Sequence, residues 1–553
     1  MTSKFDEILT RIGTGKWNLM FFLATSYWQL QLVPHTHSAV FLTPRVSYTC
    51  RPPDNGYTIT FTTYAAGTVT RNTTENCHFF ANSSEDGGGF VKEPCRAWEY
   101  DNLTFTNTLT TQFDLVCSSD YLRATYEQMY MFGMLVGAPL AGILSDRFGR
   151  KTVFSVGIVS YLVLSIASCW LPSFTAILAS RFFLGFLHPA GLQVAYVLAM
   201  EVCESRYRSI VGVLLALPWA LGTIAWGIWA HLLRDWKWLQ LAVSLPGLIL
   251  LPVLWFLDES PRWLVIRGQF DKALKILEKA AHWNDVQLPP PGQLERLMRN
   301  IQKETILAKE GIMADHEGAL PLRRKIWLSL LKIFVLFRTP RLRRITLLIY
   351  LKFLMISMVF FGIELNTGRF TINPFLYMSV MGVMDLPAYT LMAPILVRLG
   401  RKGPLVVCFF ISGAIILGLA FVAPNAGWLV TLLAMVGQLC VTSAFQVLRL
   451  YSTELFPTEV RMRGLATGIF FFHATTMLCP TISERIGPGK PWAPSLVFGL
   501  AAFLAGLATL PLPETGRVLL PDTVADLETT QDVSMNRSDG SVTDETEMAK
   551  LRA

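Results

Sequence analysis

Apolar residues run along this chain in blocks of roughly 20, the length a helix needs to cross a bilayer, each ended by charged or turn-forming residues. The blocks begin near Trp17, Leu122, Val153, Phe174, Ser209, Trp238, Ile345, Ile372, Pro404, Trp428, Met462 and Trp492, which predicts twelve spans. Residues 1–16 are polar, with Phe5, Ile8, Leu9 and Ile12 at helical spacing; this reads as an amphipathic segment and not a cleavable leader. Two polar stretches interrupt the series, at 43–120 and 262–344. After Pro521 the chain turns acidic and rich in Ser and Thr, the composition of a disordered tail. The expected architecture is an all-α membrane protein. Its parts are an N-terminal segment (1–16), a six-helix half (17–261) with a large loop (43–120), a connector (262–344), a second half (345–512) and a tail (513–553).

The charged links between spans repeat. Asp146-Arg147-Phe148-Gly149-Arg150-Lys151, then Glu201 to Arg208, then Asp258-Glu259-Ser260-Pro261-Arg262-Trp263 mark the first half. Val397-Arg398-Leu399-Gly400-Arg401-Lys402, then Glu454 to Arg461, then Leu512-Pro513-Glu514-Thr515-Gly516-Arg517 follow in the same order in the second. Two parallel six-span repeats describe a transporter whose substrate site lies between the halves near the midplane.

Composition agrees: 52% of residues are hydrophobic and 16% charged, more apolar than a soluble domain needs. The net charge of +8 does not point to nucleic acid, because the basic residues cluster in alternate links. Arg147, Arg150 and Lys151, the Arg323-Arg324-Lys325 run, Arg341, Arg343 and Arg344, and Arg398, Arg401 and Lys402 share one side, while the links near Pro172 and Pro424 are uncharged. By the positive-inside rule both termini are cytoplasmic, in a multi-pass protein expected at the plasma membrane.

The 43–120 loop holds Cys50, Cys77, Cys95 and Cys117 with the glycosylation acceptors Asn72, Asn82 and Asn102, which implies an oxidising exterior and a disulfide-stapled loop. Four cysteines allow three pairings, and the sequence leaves them open. Cys169, Cys203, Cys408, Cys440 and Cys479 lie in or beside spans and read as small apolar residues. The connector carries amphipathic helical stretches, around 269–283 and 293–309, split by Pro289-Pro290-Pro291.

Gly142 with the Asp146 to Lys151 run resembles the signature loop of the major facilitator superfamily. Trp236 to Pro246, Glu259-Ser260-Pro261-Arg262-Trp263-Leu264 and Leu512-Pro513-Glu514-Thr515 resemble its organic cation, anion and zwitterion transporters (the solute carrier family 22 type), most of all the invertebrate organic cation transporter-like members. The large loop after the first span fits that family and not the sugar porters. Two departures stand out: Val397 replaces a usual Asp, implying a weaker charge network in the second half, and four loop cysteines stand where vertebrate members commonly have six.

Charged residues at the cytoplasmic helix ends are the types that could latch that side shut and favour an outward-facing state. They are Asp146, Arg150, Glu201, Arg208, Glu259 and Arg262 from the first half, with Glu454, Arg461 and Arg463 from the second. Ionisable residues inside spans are costly and so mark the substrate path. His473 lies midway along the eleventh span and Asp385 midway along the eighth. Lys352 in the seventh could snorkel to the interface and Glu127 in the second could be exposed. Aromatics suited to a flat or cationic substrate surround them: Trp219, Trp226 and Trp229 in the fifth span, Phe353 and Phe360 on one face of the seventh, Tyr389 in the eighth, and Tyr196 with Gln193 in the fourth.

The resemblance implies that the mid-span position of the eleventh span is Asp in cation carriers and Arg in anion carriers; here it is His473. Where cation carriers commonly have Glu in the tenth span stands Gln446, and where anion carriers often have Lys in the eighth stands Tyr389. The expected function is alternating-access transport of a small organic ion, as uniporter or exchanger, with cations or zwitterions ahead because Asp385 and the aromatics are retained. The alternatives are an organic anion carrier and a non-transporting receptor of the same family. No nucleophile with its base, no metal-ligand cluster and no phosphate-binding glycine loop is present, so neither an enzyme nor a nucleotide-driven pump is expected, nor any cofactor or metal. The partners are the substrate and the bilayer, with no nucleic acid; the oligomeric state is left open.

Overall fold

In the computed structural model the described residues are 4–51, 77–82, 90–204, 206–312, 332–365, 373–421, 427–457, 460–486, 490, 492–515, 524 and 527. Asn72, the Arg323-Arg324-Lys325 run and nearly all of the tail lie outside them. The spans of the first half are Lys16–Thr36, Tyr121–Phe148, Arg150–Ala167, Phe174–Glu201, a fifth in two pieces (Arg208–Leu214 and Leu217–Leu232), and a sixth in two (Trp236–Ser244 and Leu250–Phe256). Those of the second are Pro340–Leu365, Pro374–Leu399, Lys402–Leu419, Gly427–Leu455, Arg461–Thr476 continued by Cys479–Ile486, and Ala493–Thr509.

Ten of these are long and apolar enough to cross a membrane. The other two complete the twelve for physical reasons. The first span is diluted by Asn18, Gln29, Gln31 and His35, all buried inside the bundle, and the twelfth is a 17-residue apolar helix. Side-chain caps start several of them: Asp235 accepts from the amides of Lys237 and Trp238, and Asn373 from that of Phe375 at 2.9 Å. Prolines 34, 139, 189, 387 and 394 sit inside spans, where neighbouring helices tolerate them. The seventh span begins at Pro340, ahead of the expected Ile345, because its first basic turn is already helical.

Each half has its own apolar core. A third cluster joins the halves, with Phe41, Trp226 and Trp236 from one and Phe375, Met378, Met381 and Met435 from the other. It lies at the end of the bundle that carries the large loop, called here the loop end. In that loop β1 (Tyr48–Cys50) pairs antiparallel with a later strand, Trp98–Tyr100, and β2 (His78–Asn82) with β3 (Phe90–Pro94). Disulfides Cys50–Cys95 and Cys77–Cys117 select one of the three pairings. The loop is anchored to the turn between the fifth and sixth spans, where Asn107 donates to Asp235 at 3.0 Å and Trp236 Nε1 donates to Gln112 at 2.8 Å. Asn102 is exposed there.

At the opposite, connector end, the amphipathic helix Lys4–Ile12 buries Phe5, Ile8, Leu9 and Ile12 in the first-half core, beside Leu277 and Ala280 of the helix Phe270–Trp283 and Leu294 and Met298 of the helix Pro291–Ile312. Asn284 accepts from the amide of Trp17 at 3.1 Å and donates to Asn18 at 3.0 Å, fixing this layer to the start of the first span.

Candidate substrate site

The connector end is built twice. Gly149 and Gly400 leave the second and eighth spans at positive φ (105° and 79°), so the next helix starts at once. Glu259 accepts from the amides of Arg150 (2.8 Å) and Lys151 (3.0 Å), and Glu514 from those of Arg401 (2.8 Å) and Lys402 (3.0 Å). Each carboxylate meets the positive end of a helix. Arg150 pairs with Glu201 at 3.3 Å as Arg401 pairs with Glu454 at 3.0 Å, and both arginines also donate to the carbonyl five residues back. Val397 has no carboxylate, so the second network lacks only the contact that Asp146 makes to Arg150 at 2.8 Å.

Among the described residues none of the ion pairs of these charges joins the halves; the latch is expected in the outward-facing state, and this conformation is closed at the opposite, loop end. Arg208 turns to Asp6 of the N-terminal helix (2.5 Å), Arg461 donates to the carbonyl of Phe456 at 3.4 Å, and Arg262 and Arg463 are half-buried without an ion pair among the described residues. Within each repeat the acids lie at the helix junction beside that repeat's arginine.

The loop end is closed across the halves. A Cβ on Gly227 of the fifth span would collide with Ser379 Oγ and the Phe375 carbonyl of the eighth, and one on Gly382 would lie 2.7 Å from Ile224. Phe41 stacks on Phe375 with centroids 5.3 Å apart, and Gln128 of the second span donates to Thr481 in the helix that continues the eleventh.

Between these ends lies the seam. Phe360 and Phe472 pack against the cores of both halves, and Phe445 bridges them, with centroids 6.5 Å and 5.1 Å away. On the same helix as Phe445 stand Gln446, a neighbour of Tyr389, and Arg449, whose guanidinium lies 5.8 Å from the Phe445 ring centroid. His473 is buried next to Phe472, its Nδ1 without a hydrogen-bond partner, within electrostatic reach of His188 in the first half. His188 accepts or donates a 2.8 Å bond with Tyr130, which also meets Tyr161 at 3.1 Å.

The expected site residues divide. His473, Phe360, Tyr389 and Gln446 come together around Phe445 and Phe472. Phe353 does not: it is fully buried in the second-half core against Gly468, since its turn of the helix meets the eleventh span rather than the seam. Asp385 is 2% exposed and accepts from Thr442 at 2.7 Å and Gln438 at 3.3 Å, so it is enclosed by the tenth span and does not stand open to a ligand. Lys352 does not snorkel; it is 0% exposed, 4.8 Å from the Tyr451 ring, and its Nζ has no hydrogen-bond partner. Gln193 is half-buried, Tyr196 packs with Met200 beside Cys203 and Val211, and Trp219 meets His37 edge-on. Trp226 is buried and donates to the His37 carbonyl, while Trp229 is exposed on the outside of the bundle.

Glu127 is buried, not exposed, and pairs at 3.6 Å with Arg181, which with Arg449, His35 and His188 was not among the residues expected from the sequence. The rule that marks His473, an ionisable group inside a span, applies to all four. Arg181 is covered by the rings of Tyr126 and Tyr130 (4.5 and 4.1 Å) and donates to the His35 carbonyl at 3.0 Å.

Two bundles of repeated construction, closed at one end and carrying polar groups in the seam, have the form of a membrane carrier, and comparison with known proteins decides which. The family model described as "Sugar (and other) transporter" matches residues 59–521. Organic anion transporter 3 of Sus scrofa is 32% identical over 95% of this chain and 94% of its own length. The chain belongs to the organic cation and anion transporter family of the major facilitator superfamily. An organic cation transporter protein of Drosophila melanogaster is 29% identical over 95% of this chain and 94% of its own, so relatives named for both charges of ion are similar to it. Among solved structures, the proton:xylose symporter XylE bound to 6-bromo-6-deoxy-D-glucose shares the fold, with a TM-score of 0.59 at 15% identity, covering 93% of this chain and 99% of that one. The family is one of transporters and not of enzymes, which makes this chain a transporter.

Proposed function

We propose that this transporter carries small organic ions across the plasma membrane by alternating access about the seam, as a uniporter or exchanger, with the disulfide-bonded loop outside and both termini in the cytoplasm. The orientation rests on the basic residues of the connector end and the oxidised cysteines of the loop end. The observation that carries the reading is the asymmetry of the seam: the halves interlock at the loop end, while the ion pairs described at the connector end each stay within one half. That is the arrangement of a carrier opening inward, and the reverse arrangement needs only a rocking of two preformed bodies.

Counterflow tests it. Proteoliposomes holding the full chain and loaded with unlabelled benzoate or benzyltrimethylammonium should take up the corresponding labelled ion saturably and faster than unloaded ones. Saturable binding with no flux of either ion would make the chain a receptor instead.

A further inference from the structure

Three cations lie within the spans away from their ends: Arg181, Lys352 and Arg449. They differ in what surrounds them. Arg181 is matched by Glu127 and roofed by two tyrosines, with 2% of its side chain exposed. Lys352 is sealed inside the second half beneath Tyr451. Arg449 is half-buried, and among the described residues it has neither an ion pair nor a hydrogen bond; its guanidinium lies 5.8 Å from the Phe445 ring centroid and within electrostatic reach of Tyr389. Residues 445 and 449 are one turn apart on one helix face. That face meets Phe360 and Phe472, the two rings that touch the cores of both halves.

An unpaired guanidinium inside a membrane protein is costly unless something completes it. Of the acids around it, Glu454, five residues on, pairs with Arg401, and Asp385, which also influences Tyr389, accepts from Thr442 and Gln438; no salt bridge from either to Arg449 is found among the described residues. We infer that Arg449 is the counter-ion of the transported substrate, and that the substrate is a planar organic anion whose carboxylate or sulfonate meets the guanidinium while its body lies among Phe445, Phe360 and Phe472. This rests on the transport reading above and adds the charge of the cargo. The guanidinium fork suits a carboxylate in two parallel hydrogen bonds, and Gln446 on the same helix, with Tyr389 within electrostatic reach, could hold a second polar group. The preference for cations expected from the sequence relied on Asp385 and the aromatics; Asp385 is enclosed, and the aromatics suit a planar anion's body as well.

The probes are benzoate, benzamide and benzyltrimethylammonium, which share a ring and differ in charge. In proteoliposomes of the wild-type chain, benzoate binding and counterflow should exceed those of the other two. Arg449→Gln should reduce benzoate binding and flux roughly thirtyfold or more, as for truncation of one member of a desolvated ion pair, with Arg449→Lys recovering part of it. Benzoate handled equally by wild type and Arg449→Gln overturns the assignment, as does wild-type protein that prefers the cation or treats benzamide like benzoate; these last comparisons decide even if Arg449→Gln does not insert. Absence of benzoate binding to the wild type at high concentration also overturns it. Benzoate binding that is lost in Arg449→Gln, without flux in the wild type, upholds the anion site and defeats the transport reading instead.

Discussion

Asp385 has two donors on one neighbouring helix, Thr442 at 2.7 Å and Gln438 at 3.3 Å, and all three side chains are buried. Its task on this geometry is to satisfy them. Asp385→Ala should therefore cost about 1–3 kcal/mol, the penalty of leaving buried donors without an acceptor, and lower the unfolding temperature of the detergent-purified protein, with Thr442→Val having a smaller effect. An unchanged midpoint together with lost substrate binding would return Asp385 to the ligand site. That Asp385 matters was legible in the sequence, because a carboxylate in mid-span always needs a reason. Which partner supplies the reason was not, since it depends on the rotation of the tenth span, and Gln438 and Thr442 look like any other polar residues in an apolar run. Arg449 escaped for a related reason: six residues from the end of a helix, a basic side chain reads as an interfacial anchor until its face is known.

The contact between the fifth and eighth spans at the loop end depends on two glycines. Gly227→Val would place methyl groups where Ser379 and the Phe375 carbonyl now sit, so the closed loop end should be disfavoured and the carrier held open on that side. Flux should fall steeply while binding from the outside persists, and a cysteine placed at Ser379 should become reactive to an external thiol reagent. Normal flux in Gly227→Val would mean that these helices do not close the path. The ends of the elements were legible where polar chemistry fixes them. Gly149 and Gly400, each followed by Arg and Lys and answered by Glu259 and Glu514, were visible as repeats, and the structure turns them into paired helix caps. The direction of the arginines was not legible, because a linear repeat does not tell whether its charges pair inward or across. Asp146, whose side chain is 74% exposed, is a weak member of such a network, as exposed pairs contribute little.

For the molecule as a whole, hydropathy and repeated links carry the twelve-helix architecture, because each span must bury its backbone within itself and each link must face water. What they do not carry is the state of the seam, which on the proposed mechanism is set by the relative tilt of the two halves. The account centres on that tilt. Arg147 and Arg398 are exposed at the connector ends of the second and eighth spans, and Trp170 and Phe421 at the loop ends of the two halves. With the five free cysteines replaced, spin labels on each pair report the two ends separately by pulsed electron resonance. The ion-free carrier should show a short loop-end distance and a long connector-end distance, and a transported ion should populate a second state in which the first lengthens as the second shortens. Distances that move together, or that stay fixed while the ion crosses, would contradict alternating access about this seam.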